Sequence, residues 1–216
     1  MWAVWPGDDD RNRMLNRFAR AFFTRLFTPV AVVLLRLGIG ADVVTLVGTL
    51  GVAAGALALY PTGHLLAGTL VITAFVFSDT IDGIMARRSG ASSKWGAYLD
   101  STLDRVGDAA VFGGLVLWFT GGGDDRLTAC LALACLILGS VVSYAKARAE
   151  GLGMTANVGI AERADRLVAV LVTTGFVGLG LPVVVLTVVL GLLAVASLVT
   201  VVQRMLTVRR QALAAS

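Results

Sequence analysis

Residues 65–88 read LLAGTLVITAFVFSDTIDGIMARR, and residues 94–105 read KWGAYLDSTLDR. The first stretch opens as an apolar run suited to hydrocarbon, then sets Asp79 and Asp82 at its far end. The second sets Asp100 and Asp104 at the start of a further apolar run that continues to residue 120. Spacings of i,i+3 and i,i+4 put each pair on one face of a helix. A carboxylate inside a span costs about 2.5–3.5 kcal/mol on insertion scales, so such residues mark a working site before they mark a packing one. The short connection between the stretches makes the two helices antiparallel neighbours, and their acidic faces are expected to meet. That reading decides the fold: these are two helices of a membrane bundle, not pieces of a soluble domain.

The rest of the chain agrees. Of its 216 residues 57% are hydrophobic and only 15% charged, where a soluble domain carries about 25% charge. Disorder needs the opposite balance. Two cysteines and one histidine exclude a disulfide scaffold and a histidine-rich metal site. Apolar stretches at 42–60, 65–86, 98–120, 127–149, 163–181 and 182–203 give an all-α integral membrane protein with six transmembrane helices. With six spans, all 18 Lys and Arg residues except Arg126 fall on one side. That side is cytoplasmic by the positive-inside rule. The expected location is the plasma (inner) membrane, multi-pass, with the acidic site facing the cytoplasm.

The organisation follows. Residues 1–13 read as an N-terminal extension ahead of Met14. Residues 14–37 alternate arginines with Leu15, Phe18, Phe22, Leu26 and Phe27, the pattern of an amphipathic helix lying in the membrane interface. Pro29 is expected to kink or split it. Residues 38–210 form the six-helix domain. Tyr60 and Trp118 sit near span ends, as interfacial aromatics do. Gly51 and Gly55 form a small-xxx-small pair, for packing within the bundle or at a dimer seam. Cys130 and Cys135 read as packing residues.

Four carboxylates in one small volume cannot all stay ionised without compensation. Divalent metal is the natural one. Oxygen-only ligands suit Mg²⁺, Mn²⁺ or Ca²⁺. With substrate phosphates, Asp79, Asp82, Asp100 and Asp104 fit a two-metal site for displacement at phosphorus. Gly83 and Ala86 keep the strip beside Asp82 shallow, and Gly96 does the same one turn before Asp100. Arg87 offers a forked donor for phosphate, and Ser92 and Ser93 supply hydroxyls. Asp108 continues the Asp100/Asp104 face and is read as a supporting group or a buried partner of Arg105. Lys146, Arg166 and Arg204 lie at cytoplasmic span ends, where topology alone makes them anchors that snorkel to the interface.

The spacing Asp79-x2-Asp82-Gly83-x2-Ala86-Arg87-x8-Gly96-x3-Asp100-x3-Asp104 resembles the signature of the CDP-alcohol phosphotransferase family, with no departure in residue type or spacing. The resemblance implies six transmembrane helices, a homodimer and a binuclear Mg²⁺ site (Mn²⁺ as a substitute) at the cytoplasmic face. It implies that Asp79, Asp82, Asp100 and Asp104 hold the metals and that Asp104 is the general base. It implies a donor nucleotide and lipid along Asp42, Val43, Val44, Thr45, Gly83, Ala86, Arg87 and Ser93. Within the family the chain is similar to the actinobacterial branch that makes phosphatidylinositol phosphate. The residues that carry this are Ser143–Glu150, Ile160–Arg166 and Gln203-Arg204. That likeness turns Lys146, Arg166 and Arg204 from anchors into acceptor-phosphate ligands. The partners implied are CDP-diacylglycerol and inositol 1-phosphate, with CMP released and no nucleic acid involved.

Two other readings stand beside this one. Glycerol 3-phosphate as acceptor, giving phosphatidylglycerol phosphate, would also want a cationic pocket. A divalent-cation transporter would explain the aspartates, but not Arg87 or their clustering toward one membrane face.

Overall fold

The computed structural model describes residues 25–89, 93–160 and 162–214. The extension 1–13, residues 14–24 of the expected interfacial helix, Ser92, and the side chain of Asp79 lie outside the described residues. Among those described the chain is helical, with no strand. α1 covers residues 25–36. It is followed by α2 (Ala41–Leu59), α3 (Leu65–Val76), α4 (Ser78–Ser89), α5 (Lys94–Thr120), α6 (Arg126–Glu150), α7 (Arg163–Gly178) and α8 (Val183–Ala214).

Among the described residues four stretches are long and apolar enough to cross a membrane: Ala41–Leu59, Leu65–Arg88, Arg126–Glu150 and Val183–Ala214. The expected third and fifth spans correspond to α5 and α7. α5 has the length, 27 residues, but carries Lys94, Asp100, Asp104, Arg105 and Asp108. α7 has only 16 residues.

The expected second span is present as the 24-residue stretch Leu65–Arg88, with one turn residue, Phe77, between the largely apolar α3 and α4, which opens on Ser78-Asp79. Serine and aspartate compete for backbone hydrogen bonds and so favour helix starts over helix interiors. Pro29, by contrast, does not split α1, which runs unbroken across residues 25–36. The packing of its Phe27, Ala31, Leu34 and Leu35 outweighs the one backbone bond that proline removes.

The chain divides into two compact units, Met1–Gly48 with Val76–Leu103 and Thr49–Phe75 with Asp104–Ser216. In the first, Ala31 of α1 packs on Ile84 and Met85 of α4, with Val44 of α2 against the same cluster. The Phe27 and Phe77 rings meet at 5.4 Å between centroids.

In the second unit α8 packs along α6 and α7. Between helices in lipid, close van der Waals fit replaces hydrophobic burial as the driving force, and the contacts are accordingly small or hydrogen-bonded. Thr128 and Thr187 share a hydroxyl hydrogen bond of 2.6 Å. The Cys135 thiol donates to the Leu190 carbonyl at 3.2 Å. Cys135 is thus a packing residue as expected, whereas Cys130 is exposed.

Gly51 and Gly55 pack inside the bundle: a Cβ on Gly51 would fall 2.3 Å from the Phe75 ring, and one on Gly55 2.8 Å from Val71. Tyr60 departs from the interfacial expectation. It is fully buried, its ring lies against Gly68, and its hydroxyl meets the Thr69 hydroxyl at 3.0 Å. A glycine facing the ring and a hydroxyl in reach let the phenol turn inward with its polar tip satisfied.

Residues 154–160, between α6 and α7, are not helical, yet they are fastened to α8. Thr155 exchanges hydrogen bonds with the Gln211 amide at 2.9 and 2.6 Å. The Ile160 N–H donates to the Thr200 hydroxyl at 3.1 Å. Gly159 has φ +146° and lies so close to α8 that a Cβ would fall 2.4 Å from the Thr200 methyl; only glycine meets both demands.

Candidate active site

In the first unit a cavity of about 250 Å³ is lined by Ala41, Asp42 and Thr45 of α2, Asp82, Gly83 and Ala86 of α4, and Ser93, Gly96, Ala97 and Asp100 at the start of α5. Small residues make the room. Arg87 folds back over Gly83, where a Cβ would stand 3.5 Å from its Nη1, so the guanidinium lies over the glycine. A Cβ on Gly96 would stand 3.4 Å from Ser93 Oγ and 3.7 Å from Asp42 Oδ1. Gly96 therefore admits the Asp42 carboxylate beside α5.

Two hydroxyls are committed in this wall. The Ser93 Oγ accepts from the Gly96 N–H at 2.9 Å, as residues before helix starts do. The Thr45 hydroxyl stands 2.6 Å from Asp82 Oδ2 and 3.1 Å from the Ala41 carbonyl. Asp82 is buried, so this short donation to a carboxylate fixes its rotamer and supports its charge. Val43 is exposed, and Val44 packs on the α1–α4 cluster; neither lines the cavity.

In the second unit Asp104 is held by cations. Arg163 Nη1 lies 2.7 Å from its Oδ1, and Arg105 Nη2 lies 3.6 Å from its Oδ2. The three acceptor-site cations expected from sequence occupy different surroundings. Lys146 is the most open, 3.9 Å from Glu150 one turn along α6. Arg166 is fully buried, at 2% exposure, with its guanidinium against Gly139 of α6. A Cβ on Gly139 would stand 3.0 Å from Nη2 and 3.2 Å from Cζ and Nε. Arg204 is buried too; its Nε donates to the Val158 carbonyl at 3.0 Å and its Nη1 to the Val142 carbonyl.

The structure thus brings Asp42, Thr45, Asp82, Gly83, Ala86, Ser93 and Asp100 around one cavity. Among the described residues no three His, Cys, Asp or Glu side chains gather tightly enough to hold an ion. The donor set still fits a hard divalent cation: Asp82 and Asp100 offer only oxygen, and the glycines and alanines beside them leave space for hydrated metal and phosphate. Arg163 and Gly139 were absent from the expected site. The one sequence signal for Arg163 is Asp108, whose place on the Asp104 face asks for a cation. Gly139 leaves none in the sequence.

A strip of small residues and carboxylates around a cavity, in a chain of long apolar helices, is the arrangement of an intramembrane phosphotransferase. The family model for CDP-alcohol phosphatidyltransferases matches residues 39–161, and the chain belongs to that family. It is 55% identical over 204 residues to the phosphatidylinositol phosphate synthase of Streptomyces avermitilis, covering 92% of this chain and 84% of that one. It is 47% identical over 204 residues to the enzyme of the same name from Cutibacterium acnes, covering 91% and 98%. Two crystal structures of Mycobacterium tuberculosis phosphatidylinositol phosphate synthase superpose with a TM-score of 0.81 at 45% identity. One, with CDP-DAG bound, covers 85% of this chain and 94% of that one. The other, in complex with manganese and citrate, covers 84% and 88%.

Proposed function

We propose that this chain transfers the phosphatidyl group of CDP-diacylglycerol to inositol 1-phosphate, giving phosphatidylinositol phosphate and CMP. The observation that carries the reading is the cavity in which Asp82 and Asp100 face Gly83, Ala86, Gly96 and Thr45, the residues of the family signature and its donor stretch. Kinship to enzymes named for this product supports the acceptor. α5 and α7 cross the membrane along with the four apolar stretches, making six spans, and α1 lies in the membrane interface. The positive-inside rule puts the site at the cytoplasmic face of the plasma membrane. The active form is a homodimer.

Asp79, Asp82, Asp100 and Asp104 are the residues that hold metal, two ions of Mg²⁺ or Mn²⁺. Bound there, metal offsets charge on the donor's pyrophosphate and polarises the reacting phosphorus. Gly83 and Ala86 let the nucleotide lie against α4, while Asp42 and Ser93 flank it and Arg87 reaches a phosphate oxygen over Gly83; Val43 and Val44, which do not line the cavity, only carry the backbone between Asp42 and Thr45. Thr45 holds Asp82 in the orientation that faces the cavity. Lys146, Arg166 and Arg204 take the acceptor's phosphate dianion. Arg204 does so with the edge of its guanidinium away from the Val142 and Val158 carbonyls.

Asp104 accepts the proton of the acceptor hydroxyl. The alkoxide oxygen forms a bond to the lipid-bearing phosphorus, the bond from that phosphorus to the CMP oxygen breaks, and CMP leaves with the electron pair. Among the described residues Ser93 is the serine that lines the cavity, and its hydroxyl oxygen is engaged by the Gly96 N–H; on this reading displacement is direct, with no covalent enzyme intermediate.

The test is product analysis by mass spectrometry with purified protein, CDP-diacylglycerol and each acceptor in turn. Inositol 1-phosphate should give phosphatidylinositol phosphate and equimolar CMP. EDTA should silence the reaction, and Mg²⁺ or Mn²⁺ should restore it. Product only from glycerol 3-phosphate would move the assignment to phosphatidylglycerol phosphate synthesis. Mg²⁺ entry into liposomes with no CMP released under any condition would make the chain a transporter.

A further inference from the structure

Asp108 lies one turn beyond Asp104 on α5 and outside the family signature. It is buried, and its carboxylate accepts from Arg163 Nε at 3.1 Å. The same guanidinium reaches Asp104 through Nη1 at 2.7 Å. Arg163 therefore grips two acids with two edges of one fork. Arg105 adds a looser contact, its Nη2 lying 3.6 Å from Asp104 Oδ2 and 3.8 Å from Asp108 Oδ2. Two anions and two cations meet here within the second unit, and the buried Arg166 lies within electrostatic reach of Asp108.

The two acids are not equivalent. The Asp108 side chain is 10% exposed and that of Asp104 20%. A deeply buried carboxylate is stable only when paired, so Asp108 anchors Arg163 and the outer edge of the guanidinium is left for Asp104. Both oxygens of Asp104 then face positive charge. A divalent cation approaching that carboxylate meets a like charge already in contact with it.

We infer that Arg163, anchored by Asp108, is an internal counter-ion that holds Asp104 in place before metal arrives and competes with metal for it. Arg163 is on this account a positioning residue that sets the metal affinity of the site. The inference rests on the proposed reading of Asp104 as a metal-site carboxylate. It predicts opposite signs for two properties that a merely structural arginine would move together. Removing Arg163 destabilises the metal-free protein but tightens its hold on metal.

The experiment is a titration of Mn²⁺ into the purified full-length chain, read by electron paramagnetic resonance, with melting temperatures in EDTA and at saturating Mn²⁺. Arg163→Gln should lower the Mn²⁺ dissociation constant roughly tenfold, the equivalent of one competing charge-assisted contact at a partly exposed site. Its melting temperature should fall in EDTA and be largely recovered with Mn²⁺. Arg163→Lys keeps the charge but cannot fork, and its constant should lie between wild type and Gln. If the Gln variant does not fold, the Lys variant alone decides. Arg148→Gln, on exposed α6 surface, controls for diffuse charge and should change the constant by less than about twofold. Weaker Mn²⁺ binding in Arg163→Gln, or in Arg163→Lys, overturns the inference. So does an equal loss of melting temperature with and without metal. Asp82→Asn separates the two levels. If wild type takes up no Mn²⁺, or Asp82→Asn binds it as wild type does, the carboxylate site itself fails and the inference with it. If binding depends on Asp82 but is not tightened by removing Arg163, only the inference fails.

Discussion

Gly139→Ala adds one methyl group where the structure has no room for it. The new carbon would stand 3.0 Å from Arg166 Nη2 and 3.2 Å from Cζ and Nε. Comfortable contact begins near 3.5 Å, so the guanidinium must retreat by about half an ångström. Arg166 is 2% exposed and hemmed in on its other sides, so the retreat is resisted. Overpacking of this kind costs about 1–3 kcal/mol. If the strain is relieved by displacing the guanidinium from the acceptor phosphate, the KM for inositol 1-phosphate rises about ten- to hundredfold, with the KM for CDP-diacylglycerol little changed. The assay is steady-state CMP release with each substrate varied in turn, beside a melting curve to separate strain from misplacement. In an Arg166→Ala background the alanine should add nothing to the acceptor KM, because the group it pushes is gone. Acceptor and donor KM values that stay equal to wild type, or rise by one common factor, would refute the reasoning that Gly139 seats a phosphate-binding arginine.

Other perturbations test neighbouring claims. Thr45→Val keeps the shape but removes the hydroxyl that meets Asp82 at 2.6 Å. Loss of such a support should raise the Mn²⁺ concentration for half-maximal activity by about ten- to hundredfold, and an unchanged metal dependence would show that Asp82 does not need it. Asp104→Asn should abolish turnover while the protein still purifies folded; normal activity would remove Asp104 as the base. Asp125 caps α6 by accepting the Thr128 N–H at 3.0 Å and the Thr128 hydroxyl at 2.8 Å. Those donors, the N–H foremost, hold its carboxyl below the usual carboxylate range. A depressed carboxylate stabilises above its unfolded pKa, and that contribution fades as pH falls through the folded value. Asp125→Ala should therefore lower stability by about 1 kcal/mol at neutral pH, with the gap to wild type closing in acid. A gap that stays constant with pH would mean the carboxylate is not the cap.

The helices and the acidic strip were legible because their signals are local. Apolar runs, and aspartates three and four apart, need only the pitch of a helix to be read. The single turn at Phe77 was not legible, since one residue's departure from helix leaves the apolar run of the span intact. Tyr60 near a span end has the same sequence context whether it faces headgroups or turns inward; Gly68 and Thr69 decide, and they sit on the next helix. The contacts of Arg163 with Asp104 and of Gly139 with Arg166 join residues far apart in the chain, so they emerge only from packing. Arg204 was open to two readings, anchor or phosphate ligand. The structure adds a third occupation, the carbonyls of Val142 and Val158.

The tether between α6 and α7 also has a mechanical role. Gln211, Arg204 and Thr200 grip it at Thr155, Val158 and Ile160, and Gly159 presses against the helix that carries them. A coil so riveted behaves as a rigid strut. It sets the gap between Lys146, near the end of α6, and Arg166, in the first turn of α7, as calliper jaws are set by a locked screw. On the proposed reading of those cations as phosphate ligands, selectivity comes from span rather than embrace: an anionic group too bulky for that gap finds no yielding loop to accommodate it.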